Sequence, residues 1–229
     1  MTGGEGFQRD CTIPSHPADR FDPECCRCER LVRYLTETKT QYPQYHCGPV
    51  APFGDPRARL LIVGLAPGKH GANATARPFT GDYAGILLYE TLYRFGLSNK
   101  PVSVSRGDDL RLRGCRITNA VKCLPPDNKP TTEEVRRCNA FLAAEIKDLP
   151  FNSVVLALGT VAHNAVLRAK GLTLNRYKFG HGQTHRLEQG LWLVDSYHCS
   201  RYNTQTKRLT ENGFFAVFDR VLALLEAQA

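Results

Sequence analysis

Leu60-Leu61-Ile62-Val63-Gly64-Leu65-Ala66-Pro67-Gly68 is the stretch from which the rest of the chain can be read. Its first four residues are a continuous apolar run, closed at once by glycines and a proline. A run of that length between turn residues predicts a strand buried on both faces. Arg59 to Gly64 is therefore read as a core strand that opens into a glycine-rich loop. Glycine admits backbone conformations that other residues resist and lets a ligand approach the main chain closely. A plain tight turn explains the pentapeptide equally well. The Gly-Lys-Ser/Thr ending of a phosphate-binding P-loop is absent.

Working outward, Cys115 to Val121, Val154 to Leu158 and Leu191 to Ser196 are the other strand candidates. Between them fall helical patterns: Cys28 to Thr40, Ala84 to Phe95, a helix opened by the capping box Thr131-x-x-Glu134, one ending near Lys170, and Phe214 to Ala227. The segments Lys69–Tyr83 and 43–58 read as loops. Strands alternating with helices predict an α/β fold, a three-layer α/β/α sandwich around a mainly parallel sheet. In such sheets the site lies at the C-terminal ends of the strands. Gly64, Asn119 and His198 each follow a strand and are expected to converge there.

The chain has 229 residues, enough for one domain, expected over 1–229 with residues 1–24 irregular because Pro14, Pro17 and Pro23 break any helix. No run approaches eighteen apolar residues, which excludes a membrane-spanning helix. The first nine residues are polar and Gly-rich, unlike a signal peptide, so a cytoplasmic location is expected. Lys and Arg outnumber Asp and Glu by 30 to 22, a formal charge of +8. That excess favours a polyanionic partner, with nucleic acid first.

Nine cysteines is an odd count and argues against complete disulfide pairing. In a reducing compartment, paired spacing reads as metal binding. Cys25-x2-Cys28 is followed about a hundred residues later by Cys123 and Cys138. Four thiolates suit a [4Fe–4S] cluster, and tetrahedral zinc competes for the same donors. Read alone, Cys138 is equally a buried apolar residue on its helix. Cys26 is out of register, and Cys11, Cys47, Cys115 and Cys199 are left as non-ligands.

Taken together, these segments resemble the family 5 uracil-DNA glycosylases, the UdgB type, which carry an iron–sulfur cluster. Gly64 to Asp82, with His70, Asn73, Arg77 and Phe79 inside it, looks like that family's first motif along its whole length. The places after Gly64 that hold a carboxylate in other glycosylase families are Leu65 and Ala66 here, as in family 5. Ile117-Thr118-Asn119-Ala120-Val121-Lys122-Cys123 matches the second motif. Ser196-Tyr197-His198-Cys199-Ser200-Arg201-Tyr202-Asn203-Thr204 matches the third, except that Cys199 stands where the family usually has proline. The likeness spans roughly residues 25 to 204 and chooses iron–sulfur over zinc.

The resemblance implies the uracil-DNA glycosylase fold and hydrolysis of the N-glycosidic bond of uracil in DNA. Other damaged bases such as hypoxanthine are associated with the family. His198 is then the donor to the departing base. Asn119 reads the uracil edge, and Gly64, Ala66 and Phe79 line its pocket. Asn73, with Asp82 second, holds the attacking water. Ser200, Arg201, Lys207 and Arg208 meet the DNA backbone, and Cys25, Cys28, Cys123 and Cys138 hold the cluster. The expected partner is uracil-containing DNA, bound by a monomer. Basic and aromatic residues from Lys170 to Arg186 suit a nucleic-acid groove or a polar hairpin equally. A non-catalytic cysteine-metal DNA-binding module and an iron–sulfur nuclease are the alternatives. A nuclease needs clustered carboxylates, for which Asp108-Asp109 is the adjacent pair of aspartates.

Overall fold

A computed structural model of the protein describes residues 20–227. The irregular segment expected over residues 1–24 lies mostly outside these, as does Cys11. Six strands form one sheet: β1 (Phe53–Gly54), β2 (Leu60–Gly64), β3 (Cys115–Asn119), β4 (Val154–Leu158), β5 (Thr184–Arg186) and β6 (Trp192–Ser196). Their order is β1-β3-β2-β4-β6-β5. The inner four are parallel, and the short edge strands β1 and β5 are antiparallel. The α/β architecture with a mainly parallel sheet is the one expected from the sequence.

Every residue of β2 and β4 is buried, as their unbroken apolar runs require of strands covered on both faces. Alternation along the strands divides the core into two layers. Leu61, Val63, Val155, Ala157 and Leu193 face one apolar cluster, shared with α1 (Glu29–Gln41), α4 (Thr132–Lys147) and α5 (Thr160–Ala169). Leu60, Ile62, Val154, Leu156 and Val194 face the other, shared with α3 (Tyr83–Arg94) and α7 (Glu211–Glu226). Two short helices, α2 (Ala72–Thr75) and α6 (Arg201–Gln205), sit in loops at the strand ends. Among the described residues no helix is long and apolar enough to cross a membrane.

The structure departs from the sequence reading in a few places. β3 stops at Asn119, because Ala120 and Val121 donate instead to the carbonyls of Gly64 and Leu65. The stretch read as loop from Lys69 to Tyr83 contains α2. The C-terminal helix begins at Glu211, where Thr210 accepts from the Gly213 N–H as its N-cap. The capping box at Thr131 is present as read, with Glu134 returning to the Thr131 N–H at 2.7 Å.

One glycine fixes how α3 meets the first motif. A Cβ on Gly85 would lie 1.9 Å from the backbone carbonyl oxygen of Phe79. The obstacle is main chain, so the helix start or the loop has to move. Gly85→Ala is expected to destabilise the protein by about 1–3 kcal/mol, the range typical of overpacking. Denaturant unfolding of the purified variant measures this. A midpoint equal to that of the wild type would contradict the reading.

Candidate active site

Parallel register puts the C-terminal ends of β3, β2, β4 and β6 side by side, and a cavity of ≈ 530 Å³ opens above them. Each strand end contributes. Leu65 and Ala66 follow β2, Asn119 closes β3, Leu158 ends β4 with Gly159 next to it, and His198 follows β6. The convergence expected of Gly64, Asn119 and His198 is what the topology produces.

Gly64 pairs with Asn119 across β2 and β3. A Cβ on Gly64 would lie 2.4 Å from Asn119 Oδ1 and 2.6 Å from the Phe79 ring. Glycine is therefore required there by close approach, and the cradle it leaves is walled by those two side chains. Asn119 is 4 % exposed, and its Oδ1 has no hydrogen-bond partner. A buried orphan acceptor costs about 1–3 kcal/mol. Phe79 has φ of 54°, a left-handed conformation that a bulky side chain rarely adopts. Such strain persists only where the surroundings over-determine it. Here the buried Tyr89 hydroxyl donates to the carbonyl of the preceding Pro78 at 2.7 Å.

His198 lies against Phe79, ring centroids 5.8 Å apart and 26° from parallel. Burial pulls its imidazole down to about 4, so the ring is neutral at physiological pH. Its main chain is fixed by Asn203, whose Nδ2 donates to the His198 carbonyl at 2.8 Å. Ser200 lines the cavity and N-caps α6.

Asp82 N-caps α3, accepting from the Gly85 N–H at 3.0 Å, and also lines the cavity. Its other oxygen fits against Gly71, where a Cβ would come within 2.5 Å of it. Burial raises the Asp82 carboxyl above the ordinary range, with the N–H groups of Gly85 and Ala84 opposing. Asn73, the first expectation for holding water, is fully buried. Its Nδ2 is turned toward Cys47 Sγ at 3.5 Å and the Lys69 carbonyl at 3.4 Å, and it does not border the cavity. Of the two, Asp82 is the one that borders the cavity.

The cavity has walls that the sequence reading missed. Asn128, Tyr83, Tyr202 and the Leu158–Val161 turn all line it. The end of β4 was detectable by the same strand-end rule that picked out the other three. Tyr202, 70 % exposed at the rim, and Asn128 carry no pattern that sets them apart. Arg201 stands over the Tyr83 ring at 5.5 Å and Arg208 over Tyr197 at 4.4 Å, and Lys207 is exposed nearby. The basic stretch before β6 behaves differently. His181 stacks on Tyr197 and accepts from its N–H, and His185 faces the buried Asp195. Asp108 is likewise committed. Its own burial works against ionisation, but Arg77 and three backbone N–H groups outweigh that and hold it far below the usual carboxylate range.

Behind the cavity, Cys25, Cys28, Cys123 and Cys138 line one small apolar recess with Leu31, Val121 and Phe141. Burial pushes the Cys28 thiol up to about 11, with Cys138 and Cys25 adding to the shift. Bare thiols so disposed oppose one another's ionisation, which a bound cation reverses. The Lys122 N–H already points at Cys138 Sγ, 3.3 Å away. Four soft donors in one mainly apolar recess, one with an N–H in place, fit a metal centre.

A family model described as the uracil DNA glycosylase superfamily matches residues 51–223. The chain belongs to that superfamily. It is 48 % identical over 198 residues to a type-5 uracil-DNA glycosylase of Thermus thermophilus, covering 84 % of this chain and 90 % of the relative. A type-5 enzyme of Pyrobaculum aerophilum is 44 % identical, with 87 % and 88 % covered. A type-4 enzyme of Archaeoglobus fulgidus is 30 % identical, with 83 % and 84 % covered. The family 5 resemblance read from the motifs and cysteines is borne out. Within a glycosylase superfamily member, the depressed His198 acquires a checkable consequence. With its pKa near 4, its ring nitrogens should keep neutral-imidazole shifts from pH 8 down to about 5 in ¹⁵N NMR. Protonation near the ordinary value of about 6.5 would contradict the desolvated setting.

Proposed function

We propose that this protein is a monofunctional uracil-DNA glycosylase that hydrolyses the N-glycosidic bond of uracil in DNA, leaving an abasic site. The observation that carries the reading is the buried, unpartnered Oδ1 of Asn119, in a cavity shared with a neutral His198. The N3–H of a uracil turned out of the helix is the donor that oxygen lacks, and the Asn119 amide N–H₂ matches a uracil carbonyl. Phe79 supplies an apolar face. Gly64 leaves the space, since any side chain there strikes both.

Bond cleavage sends the electron pair of the C1′–N1 bond into the base, leaving an oxocarbenium-like sugar. His198 donates a hydrogen bond to the uracil oxygen on which charge develops. A neutral imidazole can do this through its own N–H, without first gaining a proton. Water adds to C1′, its proton passing toward Asp82, whose raised pKa suits a weak base facing a cationic sugar. Arg201, Lys207 and Arg208 neutralise phosphates around the extruded nucleotide. Every residue in this account comes from one chain, consistent with a monomer. The non-catalytic and nuclease alternatives leave the Asn119–His198 cavity without a purpose.

At the cysteine recess we assign a [4Fe–4S] cluster to Cys25, Cys28, Cys123 and Cys138, zinc being the other metal such a set accepts. When bound, the cluster supplies a rigid cross-link between the start of α1, the end of the second motif and α4. Replacing Cys138 with Ala is expected to remove the visible absorbance and the iron of anaerobically purified protein. Zinc at one equivalent in the wild type would overturn the cluster assignment.

His198→Ala is expected to slow single-turnover excision from uracil-containing duplex by about 10²–10³, with affinity for abasic DNA largely kept. Excision at the wild-type rate would sink the mechanism. For Asp82, activity requires the ionised form, so the rate should fall as pH drops through its pKa. Because that pKa is raised, the acid limb should lie above the ordinary aspartate value of about 3.9. Asp82→Asn keeps the helix cap, since Asn serves as well there. It should give a slow, pH-flat profile, and an unchanged acid limb would assign the limb elsewhere.

A further inference from the structure

Lys122 is 1 % exposed, and none of the steps above uses it. Its Nζ donates to three acceptors: the Asn119 carbonyl at 2.9 Å, Thr118 Oγ1 at 2.5 Å and Glu145 Oε1 at 2.6 Å. All three ammonium protons are thereby spent. Glu145 lies on α4, two helical turns beyond Cys138 and on the same face of the helix. Cys138 Sγ receives the Lys122 N–H, and the Lys122 carbonyl accepts from Val50. Lys122 is thus held by α4 through both its backbone and its side chain.

A stability role alone does not account for the pair. Buried ion pairs rarely outperform apolar packing, because desolvating two charges offsets their attraction. This one also leaves Glu145 Oε2 buried without a partner. What the arrangement does provide is direction. Asn119 sits at the last residue of β3, where the ladder ends and its carbonyl needs a donor from elsewhere. The donor that reaches it is anchored by Glu145 on α4 as well as by Thr118 on the strand itself.

We propose that the Lys122–Glu145 pair is a positioning device for Asn119, setting the angle at which its side chain meets the extruded base. The inference rests on the reading of Asn119 as the base-recognising residue. Loss of the pair lets the carbonyl, and with it the Asn119 side chain, swing within the cradle. A displacement of about 1 Å at such a residue costs on the order of 10²-fold in rate.

The test compares Lys122→Met with the double variant Lys122→Met/Glu145→Leu in the metal-loaded protein. The single variant strands a buried carboxylate and should melt at a lower temperature. The double variant removes both charges and should recover most of the midpoint. Both should bind duplex carrying a tetrahydrofuran abasic analogue within twofold of the wild type, because that DNA presents no base. Both should excise uracil at least tenfold more slowly in single turnover. The Asn119 side-chain amide should change its ¹H–¹⁵N shift in both. Rates are compared below the lowest midpoint, with abasic-DNA affinity certifying the fold. A double variant that binds the abasic duplex normally and excises uracil within threefold of the wild type overturns the proposal. Failure of the wild type itself to excise uracil would overturn the glycosylase reading instead.

Discussion

Two strand ends, Gly64 on β2 and Asn119 on β3, lie in register, and everything at the site depends on that contact being free of a side chain. With glycine at 64, the Asn119 amide and the Phe79 ring close to within bonding range of the same small volume. Nothing larger fits without pushing one of them out. The parallel sheet supplies the alignment, and the two-sided core of β2 and β4 makes that alignment stiff. The cavity is a product of how the sheet terminates, so its precision derives from the most buried part of the molecule.

A second layer of constraint comes from outside the sheet. Cys28 is the N-cap of α1, Cys25 just precedes it and Cys138 lies in the second turn of α4, and the two helices are further joined by Arg30, which forks onto Glu134 at 2.7 Å. Arg137 reaches back to the Arg27 carbonyl at 2.7 Å. The recess therefore lies at a junction that already has polar cross-links of its own. A metal held there would stiffen a joint between the segment that carries Asn119 and the helix behind it, with no electron-transfer role required.

Much of this was legible in the sequence because it rests on unbroken apolar runs. Leu60–Val63 and Val154–Leu158 admit few readings other than buried strands, and their ends mark the site by topology. The Thr131 capping box also declared itself. Other parts depend on contacts that no pattern encodes. β1 and β5 are two and three residues long, too short for alternation to register. Asn73 and Asp82 are both polar residues in one motif. Only packing distinguishes them, the first turned against Cys47 and the second opening onto the cavity. His185 and His181, suited by composition to nucleic acid, are drawn inward by Asp195 and Tyr197. Lys122 resembles any other basic residue in a positively charged chain until its ammonium is seen enclosed.

The cross-links between the first helix and the fourth also impose an order on biosynthesis. Arg30 and Glu134 are 104 residues apart, and Arg27 and Arg137 are 110 apart. At translation rates of about 5–20 residues per second, α1 waits on the order of 5–20 seconds before its partner leaves the ribosome. For most of that interval the Cys25–Cys28 pair has emerged without either of the other thiols of the recess, and Cys138 is still missing at its end. A metal held by all four thiols would therefore arrive late, tied to the appearance of residue 138 and not to the first cysteines made.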